Sequence, residues 1–509
     1  MPTIQENNKR IAKNTLLLYV RLFITMAIGL FTSRVVLNTL GISDYGINNA
    51  VAGFVTMFGL LTGSLSSAIS RYINVSLGKN DLGQLKTIFS TSLIIMSVMA
   101  VIVVAIAEPF GIWFLNTQMN IPEGRMYAAN WVLQMSLLSF VLGMITVPYN
   151  ATIIAHEKMD VFAYISILQV TLKLLIVYML YVSPFDKLVT YTILFTSVDI
   201  LIRIIYGIYC KRHFEETHFH WVYDRSLIKN MGSFAGWNLF SSGTIIFNTQ
   251  GINMLMNIFF GVTANAARGV ANQVEGIIKS FVTNFTTAIN PQIMKSYASG
   301  DVSFMYSLVC RGAKFSFLLM LFFVVPFMFE TETILRLWLK NYPPEAPAFL
   351  RLSLIGTMFD MLGNSLANAA WATGKIKRYY LFVGTTLCFV FPLSWIAFYV
   401  GFPAYTSYII FSVAYFGVMF FKVNIVNKLT GLPKDMFYKN VYGRIFPVTI
   451  ISVIIPSLLY VYMTPGLMKD LLIILVCFLS TGVTSFMIGF THNERVAVVK
   501  IINNKLHKQ

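Results

Sequence analysis

A file of polar and charged residues runs along one otherwise apolar segment, between positions 265 and 290. Its members lie three or four residues apart, which keeps them on one face of a helix: Arg268, Asn272, Glu275, Lys279, Thr283, Thr286 and Asn290. Guanidinium and ammonium groups bind anionic oxygens, and a carboxylate can pair with them or carry a proton. A charged residue at the centre of a bilayer costs roughly 2.5–3.5 kcal/mol, so three in one span predict a hydrophilic pathway.

The composition is that of a membrane protein. Of the 509 residues, 56% are apolar and only 12% are charged, whereas a soluble domain carries about 25% charged residues. Apolar runs of near 20 residues recur along the whole chain and predict about fourteen transmembrane helices. We expect an all-α polytopic fold, because lipid offers the backbone no hydrogen-bonding partner. The alternating segments of a transmembrane barrel are absent from the sequence.

Positive charge is concentrated in alternate loops of the predicted topology. The formal net charge is +17, and most Lys and Arg fall in segments that are cytoplasmic if the N-terminus is inside. This bias fixes topology and attracts anionic headgroups, so we expect cytoplasmic termini and no nucleic-acid partner. The polar N-terminal stretch leads into a full-length span without a cleavage site, and we therefore expect no cleaved signal peptide.

An internal repeat relates the two halves of the chain. The segment Gly41–Asp81 aligns with Gly261–Asp301 without gaps at an offset of 220 residues. Six predicted spans separate the copies, which indicates two parallel six-helix lobes. The positions equivalent to the polar file are small and uncharged, and either close helix packing or cavity lining explains them: Asn48, Ala52, Val55, Gly59, Gly63, Ser66 and Ser70.

The span before each copy of the repeat also has a polar face. These faces consist of Asn238, Ser242, Thr249 and Asn253 in one half and of Arg21, Thr25, Thr32 and Thr39 in the other. Four such helices predict a central cleft between the lobes. We expect an N-terminal lobe over 1–212, a C-terminal lobe over 230–428, an extra helix pair over 440–490 and a cytoplasmic tail over 491–509.

The sequence carries little that resembles catalytic or metal-binding chemistry. His156-Glu157 lacks the second histidine of a zinc motif, and Thr373-Gly374-Lys375 lacks the lead-in of a nucleotide-binding loop. The spacing of three further histidines is too loose for a metal set, and the cysteines are isolated: His213, His218 and His220; Cys210, Cys310, Cys388 and Cys477. We therefore expect no enzyme activity, no cofactor and no metal, and any active transport must be secondary or driven by a partner.

The candidate substrate-binding residues are mostly cationic: Arg21, Arg34, Arg268, Asn272 and Lys279. Arginine binds phosphate oxygens in a bidentate manner, and a cavity of low dielectric strengthens the contact. The expected passenger is therefore a large anionic headgroup rather than a cationic drug.

Two carboxylates, Glu275 and Asp360, are candidates for coupling or ion pairing. Glu275 and Lys279 are four residues apart and can pair on one helix, whereas Asp360 has no obvious local partner. For the other charged residues, a purely structural role stays open. The side chains of Arg21 and Lys173 can extend toward the membrane interface. Asp199 and Arg203 have the spacing of a structural ion pair within one helix.

Several short motifs resemble those of a known transporter family. They are Ser33-Arg34, Leu40-Gly41, Asp44-Tyr45-Gly46 and Ala288-Ile289-Asn290-Pro291-Gln292. With about fourteen spans, they resemble Wzx-type polysaccharide flippases of the multidrug/oligosaccharidyl-lipid/polysaccharide (MOP) exporter superfamily. In that family, cationic residues of the first, second, seventh and eighth helices line the cleft. Arg21 and Arg268 match by position, but the second helix has no arginine before Arg71, which departs from the lipid II flippase branch.

The resemblance implies a secondary transporter in the bacterial inner membrane. It would move undecaprenyl-diphosphate-linked oligosaccharide from the cytoplasmic to the periplasmic leaflet by alternating access, coupled to a cation gradient, for O-antigen or capsule assembly. The implied partners are this lipid-linked substrate, membrane lipids and the glycan polymerase machinery. Two alternatives remain: a drug/cation antiporter of the same fold and a membrane-embedded polysaccharide polymerase.

Overall fold

The protein is described here by a computed structural model. It describes residues 4–117, 121–122, 124–222, 224–339, 342–463 and 466–496. Within these ranges the chain is helical and contains no strand. Most of the predicted tail, from residue 497 onward, lies outside the described residues. The predicted all-α fold is confirmed.

Contacts divide the chain into two units, Met1–Ser242 and Gly243–Gln509. The described part of the first unit consists of six helices and the beginning of a seventh. These are α1 (Ile4–Thr56), α2 (Gly59–Gly78), α3 (Leu82–Thr117), α4 (Met126–Ala155), α5 (Met159–Val182), α6 (Lys187–His213) and the first part of α7 (Arg225–Ala298).

The second unit contains the remainder of α7 and nine further helices in its described part. These are α8 (Val302–Leu339), α9 (Ala346–Leu362), α10 (Asn364–Thr373), α11 (Lys377–Cys388), α12 (Val390–Tyr399), α13 (Thr406–Thr430), α14 (Lys434–Phe437), α15 (Gly443–Tyr462) and α16 (Leu467–Thr484). The last pair, α15 and α16, packs against α8.

Two glycines give the long helices α1 and α7 their bends. Gly41 has φ 80° and Gly261 has φ 77°, conformations in which a side chain would be strained. Each long helix is therefore two helices joined at one residue. The two glycines are the ones matched by the 220-residue repeat, so both copies begin at the same backbone conformation.

Eleven helical segments in the described residues are long and apolar enough to cross a membrane. The sequence predicted about fourteen spans. Helices α9 and α10 are separated at Gly363 and have 17 and 10 residues, so neither alone reaches the length of a span. Helix α7, which carries the polar file, is also outside the eleven. The chain is a multi-pass membrane protein.

Candidate functional site

The polar file of α7 borders a cavity of about 290 Å³ in the C-terminal unit. Arg268, Asn272 and Glu275 all line it, as the sequence predicts for a hydrophilic pathway. The bend at Gly261 folds α7 back, so that residues on both sides of the bend border the same space. The opposite walls come from α9, α11, α12 and α13 and include three aromatic residues: Tyr408, Phe411 and Tyr415.

Arg268 is buried, with 7% of its surface exposed, and its hydrogen-bond partners are neutral groups. Its Nε donates to Asn253 Oδ1 at 2.5 Å, and its Nη2 donates to the carbonyl of Thr249 at 3.4 Å. The guanidinium carbon lies 5.3 Å from the centre of the Tyr408 ring. These contacts orient the guanidinium, and the carboxylate of Glu275 on the same cavity interacts with it electrostatically.

The carboxylate of Glu275 accepts a hydrogen bond from Thr357 Oγ1 on α9, at 2.6 Å. Glu275 and Lys279, which the spacing allows to pair, interact electrostatically, but the direct ion pair of Lys279 is with another residue. Lys279 Nζ instead lies 3.2 Å from Asp360 Oδ2, one helical turn beyond the part of α7 that lines the cavity. Asp360 is on α9, 81 residues away in the chain, so helical spacing alone could not reveal this partner.

Asp360 is held between two lysines, which corrects the expectation that it lacks a partner. Besides Lys279, Lys422 Nζ on α13 lies 3.7 Å from Asp360 Oδ1. Lys422 is buried, and the sequence analysis did not single it out. A Cβ at Gly363 would lie 2.5 Å from Lys422 Nζ, so the break between α9 and α10 makes room for this lysine.

The N-terminal unit contains its own cavity of about 680 Å³. Six of the seven small residues that the repeat relates to the polar file line it: Asn48, Ala52, Val55, Gly59, Gly63 and Ser66. Of the two open readings, cavity lining is therefore the one that the structure supports for these positions.

Of the predicted cations of the N-terminal unit, the structure describes the side chain of Arg21. Arg21 is not among the described residues that line the cavity, and its guanidinium carbon lies 4.6 Å from the centre of the Phe162 ring. The side chain of Arg34 lies outside the described residues. Three threonines of the predicted polar face on α1 donate their hydroxyl hydrogens to carbonyls of their own helix: Thr25, Thr32 and Thr39.

The predicted pair of Asp199 and Arg203 is wrong. Asp199 Oδ1 lies 2.9 Å from Lys173 Nζ on α5, while the guanidinium carbon of Arg203 lies 4.1 Å from the centre of the Tyr149 ring. In both units, the sequence spacing allows an ion pair within one helix, whereas the structure has an ion pair between two helices. The packing of helices against each other determines the partner in each case.

Histidines at the end of α4 and in the loop after α6 contact protein groups. His156 Nε2 lies 2.5 Å from Glu216 Oε1, and His220 Nδ1 lies 3.2 Å from Ser90 Oγ. Burial is the largest single effect on the pKa of Glu216 and acts to raise it. The hydrogen bond from His156, a backbone hydrogen bond and the nearby positive charges together outweigh burial, and the net pKa is below the ordinary value. Among the described residues, no three His, Cys, Asp or Glu side chains cluster in a way that could hold a metal ion.

The fold is that of MOP superfamily transporters. A MOP superfamily transporter from Pyrococcus furiosus superposes with a TM-score of 0.72 and 13% identity, over 83% of this chain and 96% of that chain. An outward-facing multidrug resistance MATE family transporter superposes with a TM-score of 0.70 and 13% identity, over 83% of this chain and 97% of the other. The fold that the resemblance to the MOP superfamily implies is therefore confirmed.

The sequence itself places the chain in a family. Residues 11–296, more than half of the chain, match the model of the family described as polysaccharide biosynthesis protein. The chain belongs to this family, and its described part is a multi-pass membrane protein with the fold of these transporters. No curated protein matches the sequence.

Proposed function

We propose that the protein moves an oligosaccharide linked to undecaprenyl diphosphate from the inner to the outer leaflet of the bacterial cytoplasmic membrane. The buried Arg268 carries this proposal, since it borders a cavity and its hydrogen-bond partners there are neutral. Membership of a polysaccharide biosynthesis family supports a saccharide cargo. The distribution of positive charge supports a cytoplasmic location for both termini of this chain.

Arg268 is suited to bind one phosphate group of the cargo. Asn253 and Thr249 hold its Nε and Nη2, and the fork geometry of a guanidinium leaves further N–H groups for a phosphate. Asn272, one turn along α7, lines the same cavity and can donate through its amide. A water-poor cavity strengthens such a charge-assisted contact.

Lys279 provides a second positive position further along α7. With Lys422 it shares the single carboxylate of Asp360, so the three groups together carry one excess positive charge. Arg268 and Lys279 are separated by about 16 Å of helix, roughly half of the hydrocarbon thickness. A diphosphate that leaves Arg268 would thus meet another cationic region before crossing the bilayer.

Glu275 is the better candidate than Asp360 for coupling transport to a cation gradient. It borders the cavity and accepts its hydrogen bond from a neutral hydroxyl, Thr357. Asp360 is already paired with two lysines, Lys279 and Lys422, which assigns it a structural role.

The test is surface glycan assembly in a strain whose own copy of the gene is deleted. Arg268→Ala and Lys279→Ala should each lower surface glycan while the protein still accumulates in the membrane. The matched control is Gln273→Ala, because Gln273 is exposed on the same helix and is not among the residues that line the cavity. Normal glycan from the double alanine variant would contradict the diphosphate role.

A further inference from the structure

The cavity of the N-terminal unit differs in charge from the one that contains Arg268. Among the described residues that line it, Asp199 is the one acidic or basic side chain, apart from the phenol of Tyr191. Asp199 Oδ1 lies 2.9 Å from Lys173 Nζ and accepts from Gln169 Nε2 at 3.1 Å. The carboxylate is thus already neutralised by a lysine, and the described part of the lining contains no arginine or lysine that could bind a phosphate.

Hydroxyl groups line much of this cavity. Thr192 donates its hydroxyl hydrogen to the carbonyls of its own helix, at 3.2 Å to Leu188, and Thr56 does so at 2.8 Å to Gly53. An oxygen whose hydrogen is used in this way can only accept. The buried Thr62 Oγ1 has no hydrogen-bond partner among the described residues and, like the amide of Asn48, can still donate. Such a lining offers both acceptors and donors, which suits a neutral ligand rich in hydroxyl groups.

The small residues of the cavity border open space. A Cβ added at Gly59, Gly63 or Gly143 would meet no atom within 4 Å, whereas glycines that allow close helix packing would face a neighbouring helix. The volume of about 680 Å³ falls within the ~300–1,000 Å³ of small-molecule sites. The empty space is therefore large enough for a ligand and is not a packing defect.

Aromatic rings complete the lining. Tyr191 and Phe195 on α6 have ring centroids 4.1 Å apart, and Phe140 on α4 also lines the cavity. Flat apolar rings beside hydroxyl acceptors match a pyranose, which has C–H faces and a rim of hydroxyl groups. An uncharged sugar can use both features at once.

We propose that this cavity is a subsite for uncharged saccharide rings of the lipid-linked cargo. The inference rests on the proposed function and adds to it a separate place for sugar recognition in the N-terminal unit. Phosphate recognition by Arg268 and saccharide recognition by this cavity are then separable by mutation.

The experiment measures binding of two lipids to the purified full-length protein in nanodiscs. The probes are undecaprenyl diphosphate carrying the repeat unit of the host and bare undecaprenyl diphosphate. Wild type should bind the glycan-bearing lipid roughly tenfold tighter or more, as two or three neutral hydrogen bonds imply. Gly63→Leu, which fills the cavity, should abolish this preference and leave the affinity for the bare lipid unchanged. Gly53→Leu, at an exposed position of α1 outside the lining, should keep the preference.

The outcomes separate the two proposals. Equal binding of both lipids by wild type, or a preference retained in Gly63→Leu, overturns the saccharide subsite and leaves the proposed function standing. Binding of neither lipid, or unchanged binding of the bare lipid by Arg268→Gln, overturns the proposed function and with it the subsite. If Gly63→Leu fails to accumulate, Thr62→Val tests the same preference by removing an acceptor without adding bulk.

Discussion

Two charged residues of the C-terminal unit have opposite surroundings. Arg268 is buried against an amide, a carbonyl and an aromatic ring, which orient its guanidinium, and the carboxylate of Glu275 on the same cavity interacts with it electrostatically. Asp360 lies between two lysines, so its charge is more than cancelled. A buried charge is expensive and is retained where a ligand interacts with it. We therefore propose Arg268 as the residue that binds an anionic cargo.

We predict that Asp360 stabilises the fold by compensating the charges of the two lysines beside it, Lys279 and Lys422. Asp360→Asn should lower accumulation and thermal stability, because it leaves the buried ammonium of Lys422 beside that of Lys279 without a carboxylate. Lys422→Met in the same chain should restore much of the accumulation by removing the buried like charge. Thermal unfolding of the detergent-solubilised variants measures both effects. A double variant less stable than Asp360→Asn alone would contradict this account of the cluster.

At the scale of helices, the sequence pattern predicted which residues share a helix face but not which residues pair across helices. Periodicity alone placed Arg268, Asn272 and Glu275 on one face, and all three line one cavity. The partners of Lys279 and Asp360 could not be found this way, because their helices meet only in the fold. A glycine with positive φ is visible in the sequence only as a glycine, so the bend at Gly261 became evident only in the structure.

For the same reason, the sequence could not show that the small residues of the N-terminal unit line a cavity. The repeat located the small residues of the N-terminal unit but left packing and cavity lining equally open. Only the absence of neighbouring atoms around Gly59 and Gly63 separates the two readings, and that depends on how α4 and α6 pack. The size of a side chain, known from the sequence, does not show whether a neighbouring helix or a cavity lies beside it.

The end of α4 is linked to the loop after α6 by a contact whose strength depends on pH. Because the folded pKa of Glu216 is below its ordinary value, its ionised form stabilises the fold above the unfolded pKa of about 4.3. This stabilisation is lost as the pH falls through the folded pKa. We predict that Glu216→Gln lowers the Tm at pH 7 and that the difference from wild type disappears at acidic pH. A difference of equal size at both pH values would contradict this role.

At the scale of the whole molecule, fold and cargo are determined by different features. The MOP fold is shared with transporters at 13% identity, and such a likeness by itself leaves the cargo open. Membership of a polysaccharide biosynthesis family supports a saccharide cargo. The residues that line the two cavities restrict the proposed cargo further. The C-terminal unit provides a buried guanidinium, which suits a phosphate, and the cavity of the N-terminal unit provides hydroxyl groups, which suit an uncharged sugar.

The most direct test is transbilayer movement in vesicles that contain the purified protein. The probe is undecaprenyl diphosphate carrying the repeat unit of the host, and a membrane-impermeant lectin reports glycan that reaches the outer leaflet. We predict that wild type and Gln273→Ala move the probe, and that Arg268→Gln is slower by about tenfold or more, since a hydrogen bond to a charged group contributes about 1.5–3 kcal/mol. Equal rates for wild type and Arg268→Gln, or no movement by wild type, would contradict the central claim.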